Sequence, residues 1–204
     1  MLVVARYKED LGWLNNINIP KTVYNKGPDH IPDSIKLENR GREAETYLRY
    51  IIDNYDTMPQ RVFFTQGNPF DHCPRFLDDI THEFQSPDTW NVISLTGFHE
   101  WVHGFHTHRG IEDSFKFTFK ELFNKDPPVN IHYPVGAIFG VTKRAIHYYS
   151  IDFWKNLRNK ILESEKTPNC SHPHVHNNPA CGCRNSYSPW CFERVWLYLF
   201  EIKS

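Results

Sequence analysis

The stretch Arg61-Val-Phe-Phe-Thr-Gln-Gly-Asn-Pro-Phe-Asp-His72 constrains the fold more than any other part of this chain. Val62, Phe63 and Phe64 are a short apolar run of the kind found in strands buried on both faces. The run stops at Gln66-Gly67-Asn68-Pro69, a turn-forming group with two amide side chains, and Asp71 and His72 follow directly. Amide, carboxylate and imidazole groups therefore collect at the carboxyl end of a central strand. Open α/β sheets bind their ligands there.

The flanking segments fit the same plan. Leu2-Val-Val-Ala5 and Lys21-Thr-Val-Tyr24 are further apolar runs, ending in Arg6-Tyr7-Lys8-Glu9-Asp10 and Asn25-Lys26-Gly27-Pro28. Between residues 41 and 55, Ala44, Tyr47, Leu48, Ile51, Ile52 and Tyr55 repeat at helical spacing. The order strand, strand, helix, strand predicts an α/β/α sandwich with a mostly parallel central sheet. Val92–Leu95 continues it as a fourth strand, 114–123 as a helix, and 131–141 as a strand region punctuated by Gly136 and Gly140. Thr142 and Ser150-Ile-Asp152 open two more helices, and 190–202 reads as one aromatic helix. Residues 166–189, rich in Pro, Asn, Ser, His and Cys, are a long loop within a single domain spanning 1–204.

Charge narrows the partners. The net charge is −1 and the pI about 6.9, which gives no footprint for nucleic acid or an anionic membrane surface. No apolar run approaches the ~18 residues of a membrane span, and no signal peptide is visible ahead of the first strand. The expectation is a cytoplasmic protein (host cytoplasm if viral), as a free domain or as a module of a longer protein. In that compartment the five Cys read as thiols or metal ligands rather than disulfides.

Several motifs together carry a resemblance. They are Val3-Val-Ala-Arg-Tyr7 with Glu9-Asp10 and Trp13, Tyr24-Asn-Lys-Gly27, Asn39-Arg-Gly-Arg-Glu43 with Tyr47-Leu48, Asp53-Asn-Tyr55, Phe64-Thr-Gln-Gly67 and Phe70-Asp-His72. They resemble a set of fungal and viral domains and the small glycosyltransferase modules with which chlorella viruses decorate their capsid protein. The match is specific over the first 75 residues and looser onward to Glu193-Arg194-Val195-Trp196. It implies a GT-A glycosyltransferase that moves a hexosyl or deoxyhexosyl group from a nucleotide-diphosphate sugar, of the UDP class, to a hydroxyl of a glycan or glycoprotein.

The resemblance also implies roles. Ala5, Arg6 and Tyr7 match the nucleotide loop. Gln66, Gly67 and Asn68 fall where an Asp-X-Asp metal motif belongs, and Tyr133 to Gly140 match the acceptor segment. No Asp-X-Asp occurs in this chain. Amides hold Mn²⁺ or Mg²⁺ more weakly than carboxylates. The charge then comes from Asp71, His72 or Asp78, in that order, or Arg6, Lys26 and Arg42 neutralise the phosphates without metal.

For the general base, Glu193 beside Arg194 ranks first, against its alternative as a structural Glu–Arg pair. Glu100 ranks second. Trp101, Tyr133, Gly136 and Trp190 are candidates for the acceptor cleft. Two other function classes remain open. One is a zinc-dependent hydrolase built on His99, His103, His106 and His108 or on Cys170, His172, His174, His176, Cys181, Cys183 and Cys191, although neither set has a standard zinc spacing. The other is a non-catalytic carbohydrate-binding module.

Overall fold

The computed structural model describes residues 1–87, 89–96, 98–102, 109–164, 187 and 189–201, excluding the side chains of 98–102, 109–114, 189 and 190. The strands are β1 (Leu2–Arg6), β2 (Lys21–Asn25), β3 (Ile35–Lys36), β4 (Arg61–Gln66), β5 (Val92–Ser94), β6 (Phe98–Val102), β7 (Asn130–Pro134) and β8 (Phe139–Thr142). The helices are α1 (Arg42–Asp53), α2 (Phe76–Gln85), α3 (Arg109–Phe123), α4 (Lys143–Ile146), α5 (Ile151–Ser164), α6 (Pro189–Glu193) and α7 (Trp196–Phe200). Short 3-10 turns cover Gly12–Asn16 and Val135–Ala137.

Six strands form one sheet in the order β3-β2-β1-β4-β8-β5, and β6 pairs with β7 separately. The β3-β2-β1-β4 half is parallel, whereas β8 runs antiparallel to both β4 and β5. The sheet is therefore mixed, and its parallel order holds for four adjacent strands. Val62, Phe63 and Phe64 lie in the interior strand β4 and are fully buried.

Strand alternation explains the two cores. Val3, Val62, Phe64, Phe139 and Val141 face one side, where Tyr47, Leu48, Ile51, Trp154, Ile161, Trp196 and Phe200 cover them. Leu2, Val4 and Phe63 face the other, against Leu14, Ile17, Phe76 and Ile80. Helices thus cover both faces, which is the α/β layering read from the sequence. The helix expected over 190–202 is interrupted at Arg194–Val195, and the strand region expected over 131–141 is split by Val135–Ala137.

The chain changes direction at β1. It moves outward to β2 and β3, then crosses back through α1 to β4 on the other side of β1. The carboxyl ends of β1 and β4 therefore flank a topological switch point, the crevice where α/β sheets place ligands. Because β8 is antiparallel, its amino end and the Val135–Ala137 turn reach the same edge.

Candidate functional site

Arg6 ends β1 and organises the loops around it. Its guanidinium is buried and donates to the carbonyls of Glu9 and Tyr7, to Asn25 Oδ1 at 3.0 Å and to Asp29 Oδ2 at 2.6 Å. These bonds lace the loop after β1 to the loop after β2. The hydrogen bond from Arg6 holds the Asp29 carboxyl below the usual carboxylate range. Arg6, expected to face phosphate, is placed as a loop organiser. Ala5 sits behind it in the strand, and Tyr7 beyond it is exposed on the rim. Gly27 lets the two loops meet, because a Cβ there would lie 1.5 Å from the Tyr7 carbonyl oxygen.

The loop after β1 also reaches β4. The Glu9 carboxylate accepts from the amides of Tyr7 and Lys8, and Trp13 Nε1 donates to the Gly67 carbonyl at 2.9 Å. A Cβ on Gly67 would stand 2.6 Å from Glu9 Oε2, so carboxylate and backbone touch across the switch point. Asn68 accepts from the Phe70 amide at 3.3 Å and shapes the turn after β4. Gln66, His72 and Gly136 meet at the next position along the edge. A Cβ on Gly136 would lie 2.4 Å from Gln66 Nε2 and 2.5 Å from the His72 ring. Gly136 has φ +70°, which suits glycine, and Ala137 beside it is also left-handed at φ 53°.

Glu193 completes the crevice. α6 lies against α1, α3 and the Val135–Ala137 turn. There the Gly136 amide donates to Glu193 Oε1 at 2.6 Å. Arg194 pairs with the other Glu193 oxygen at 3.6 Å and stacks over the Tyr133 ring at 4.8 Å. Glu193, Tyr133 and Gly136, nominated separately, are thus brought together.

The amino end of α1 closes the opposite wall. Lys26, expected at phosphate, is buried and structural. It pairs with Glu45 Oε2 at 2.8 Å and donates to the carbonyls of Arg40 and Arg42. Glu45 Oε1 in turn takes both Nε and Nη2 of Arg158. Arg42 is half exposed and, like Gly41 before it, left-handed. Next to it stands Glu43, which sequence reasoning did not nominate. Burial raises the Glu43 carboxyl, Arg42 opposes that rise, and the nearby Glu193 adds to it. Tyr47 lies one turn further and is fully buried, and its hydroxyl has no hydrogen-bond partner among the described residues. Burial, then the charges of Glu43 and Glu193, push that hydroxyl well above its ordinary range. The spacing of Glu43 and Tyr47 was the available signal, but Tyr47 also fits the apolar stripe of α1.

The metal candidates do not converge. Asp71 and His72 are exposed in the turn after β4, and Asp78 is exposed in the first turn of α2, where a carboxylate suits the helix dipole. Among the described residues no three His, Cys, Asp or Glu side chains are grouped to hold an ion. Of the three, only His72 reaches the crevice. The side chains of Glu100, Trp101, Trp190 and His99 lie outside the described residues, as do His103, His106, His108 and the Cys/His loop apart from buried Cys191. No helix among the described residues is long and apolar enough to cross a membrane.

Comparison with known proteins adds family membership. Baseplate wedge protein gp7 of Enterobacteria phage T4 is 25% identical over 119 residues, covering 54% of this chain and 11% of that protein. The chain thus spans about a tenth of that relative's length. No solved structure matches. The model of the family described as "Protein of unknown function (DUF3431)" matches residues 2–204, and the chain belongs to that family.

Proposed function

We propose that this protein is a glycosyltransferase that moves a sugar from a nucleotide-diphosphate sugar, of the UDP class, to a hydroxyl of a glycan or glycoprotein. The observation that carries the reading is Glu193. Its carboxylate is fixed by the Gly136 amide in the crevice bounded by the ends of β1 and β4 and by the start of α1. A base held beside a switch-point crevice is what transfer to a hydroxyl requires.

The rim after β1 supports donor binding. Tyr7 offers an exposed ring for a nucleobase, and the Gln66 amide lies inward of it at the end of β4. In the transfer, Glu193 takes the proton of the acceptor hydroxyl as its oxygen attacks the anomeric carbon. The bond from that carbon to the phosphate oxygen breaks, and the electron pair leaves with the diphosphate. Arg42, half exposed at the start of α1, is a cation available for the departing charge. The described donor set does not fit a carboxylate-held Mn²⁺ or Mg²⁺, so the reading routes no step through a metal.

A thermal-shift panel of UDP-, GDP- and dTDP-sugars, with and without Mn²⁺, tests this reading. Binding at 100 times Kd stabilises by about 2.7 kcal/mol, so a UDP-sugar should raise Tm clearly and selectively. A panel in which no nucleotide sugar moves Tm counts against the reading. Binding with no transfer and no donor hydrolysis would make the protein a binding module.

A further inference from the structure

A cavity of about 310 Å³ opens at the far edge of the six-stranded sheet, lined by Gln60, Thr89, Trp90, Asn91, Thr142 and Arg144. Its size is in the class of small-molecule sites, ~300–1,000 Å³. The amino ends of β4 and β5 and the carboxyl end of β8 converge on it. The crevice lies at the other end of β4, roughly 17–20 Å along the strand. A single sugar ring held here therefore does not touch Glu193.

The walls are held from several sides. The Thr142 amide donates to the Asn91 carbonyl at 3.0 Å, and the Lys143 amide donates to the Gln60 carbonyl at 2.8 Å. Arg61 donates to the carbonyls of Glu83, Phe84 and Ser86, which fixes the end of α2 ahead of the Thr89–Asn91 wall. Trp90 is wedged in place. Its ring meets Phe63 edge-on at 5.9 Å, and Nε1 donates to Glu83 Oε2 at 3.2 Å. A Cβ on Gly140 would stand 3.0 Å from the indole Cη2. Arg144 Nη2 donates to Asn91 Oδ1 at 2.7 Å, so an amide sets the orientation of the guanidinium. Its other N–H groups have no hydrogen bond among the described residues.

We propose that this cavity is a carbohydrate-binding site, separate from the crevice, that takes one pyranose unit of a glycan. A pyranose carries vicinal hydroxyls, each a donor and an acceptor, on a ring with apolar C–H faces. The planar groups of Arg144, Asn91 and Gln60 can each bond two neighbouring hydroxyls, and the Thr89 hydroxyl both donates and accepts. Trp90 supplies the apolar wall. A bare anion would use Arg144 and leave Gln60, Thr89 and Trp90 without a part. The site is independent of the glycosyltransferase reading. Under that reading it holds a glycan acceptor by a sugar other than the one that attacks.

Indole ¹H–¹⁵N NMR reads both places at once. Trp90 Nε1 reports the cavity, and Trp13 Nε1, bonded to the Gly67 carbonyl, reports the crevice. Trp90→Phe and Trp13→Phe assign the two signals. If Trp90→Phe fails to fold, the backbone amides of Thr89 and Asn91 report the cavity in its place. The probes are methyl pyranosides of hexoses, N-acetylhexosamines, deoxyhexoses and uronic acids, without nucleotide, with inorganic phosphate as the comparison. A binding pyranoside should shift Trp90 saturably and leave Trp13 unmoved. Arg144→Lys keeps the charge but loses the planar fork, and should weaken that binding about tenfold. Gln60→Ala should weaken it by a smaller factor. Both side chains are exposed, so both variants should keep the fold. A panel in which no pyranoside moves Trp90, or in which Trp13 moves instead, overturns the proposal. A shift that phosphate reproduces also overturns it and makes the cavity an anion site. So does an affinity that Arg144→Lys leaves within about twofold of the parent. A pyranoside that shifts Trp90 in a protein that binds no UDP-sugar refutes the donor reading and leaves this site standing.

Discussion

Replacing Lys26 by Met should destabilise the protein more than any single surface charge could. Lys26 and Glu45 each have a side chain only 4% exposed, and their ion pair is 2.8 Å long. Arg158, 25% exposed, holds the other Glu45 oxygen through two donors. Removing one partner of a buried pair leaves an uncompensated charge and costs ~3–5 kcal/mol. Arg158 still neutralises Glu45, so the lower end, about 3 kcal/mol, is expected here. For a chain of this size that lowers Tm by roughly 6–12 °C. Equilibrium urea unfolding should show the midpoint falling with the slope unchanged. The Lys26→Met/Glu45→Met pair should be less unstable than the sum of its single variants, because both fully buried charges are then gone and only Arg158, 25% exposed, loses its partner. A Lys26→Met variant within 1 kcal/mol of the parent, or strict additivity, would refute the reasoning. The consequence reaches the site, since Lys26 also binds the carbonyls of Arg40 and Arg42 and so fixes the turn that presents Glu43.

Gly136→Ala should cost about 1–2 kcal/mol from its φ of +70° and reduce transfer further by displacing Gln66, His72 and Glu193, read by comparing unfolding with turnover. Arg6→Ala should speed amide exchange across residues 7–12 and weaken UDP binding independently of ionic strength, because its bonds hold loops rather than phosphate. Cys73 is buried, its thiol pushed up to about 11 by burial and by Asp79. It should resist alkylation at pH 8 in the folded protein. Since the folded state keeps that proton longer, its contribution to stability is full below about pH 9 and is lost as pH rises toward 11, read as a falling urea midpoint.

Much of the sheet is legible in the sequence because its residues carry the signal locally. Apolar runs at 2–5, 21–24 and 62–64 mark three of the four parallel strands, and the period of residues 44–55 marks α1. Strand direction is not local. A strand's period is the same whichever way it runs, so the antiparallel β8 had no signature. Gly136 reads as room for a close approach rather than as a break, and Ala137 shares the left-handed turn without any compositional hint. β6 lies in an aromatic, His-rich stretch where no period dominates, so its pairing with β7 had no local signature. At the site, Glu193 and Gly136 could be named singly, while their 2.6 Å bond joins residues 57 apart in sequence. Lys26 looked like a solvated or phosphate-facing charge because both groups that bury it come from elsewhere, Glu45 from α1 and Arg158 through Glu45 from α5.

The most direct measurement of the central claim pairs donor binding with transfer in Glu193→Gln. Calorimetry with the UDP-sugar selected by the panel gives binding, and release of labelled sugar to acceptor or water gives turnover. The account expects affinity within a few-fold of the parent and a rate lower by ~10²–10⁴, the usual loss when a general base is removed. Transfer within a few-fold of the parent, or a parent protein that binds no UDP-sugar, would contradict it.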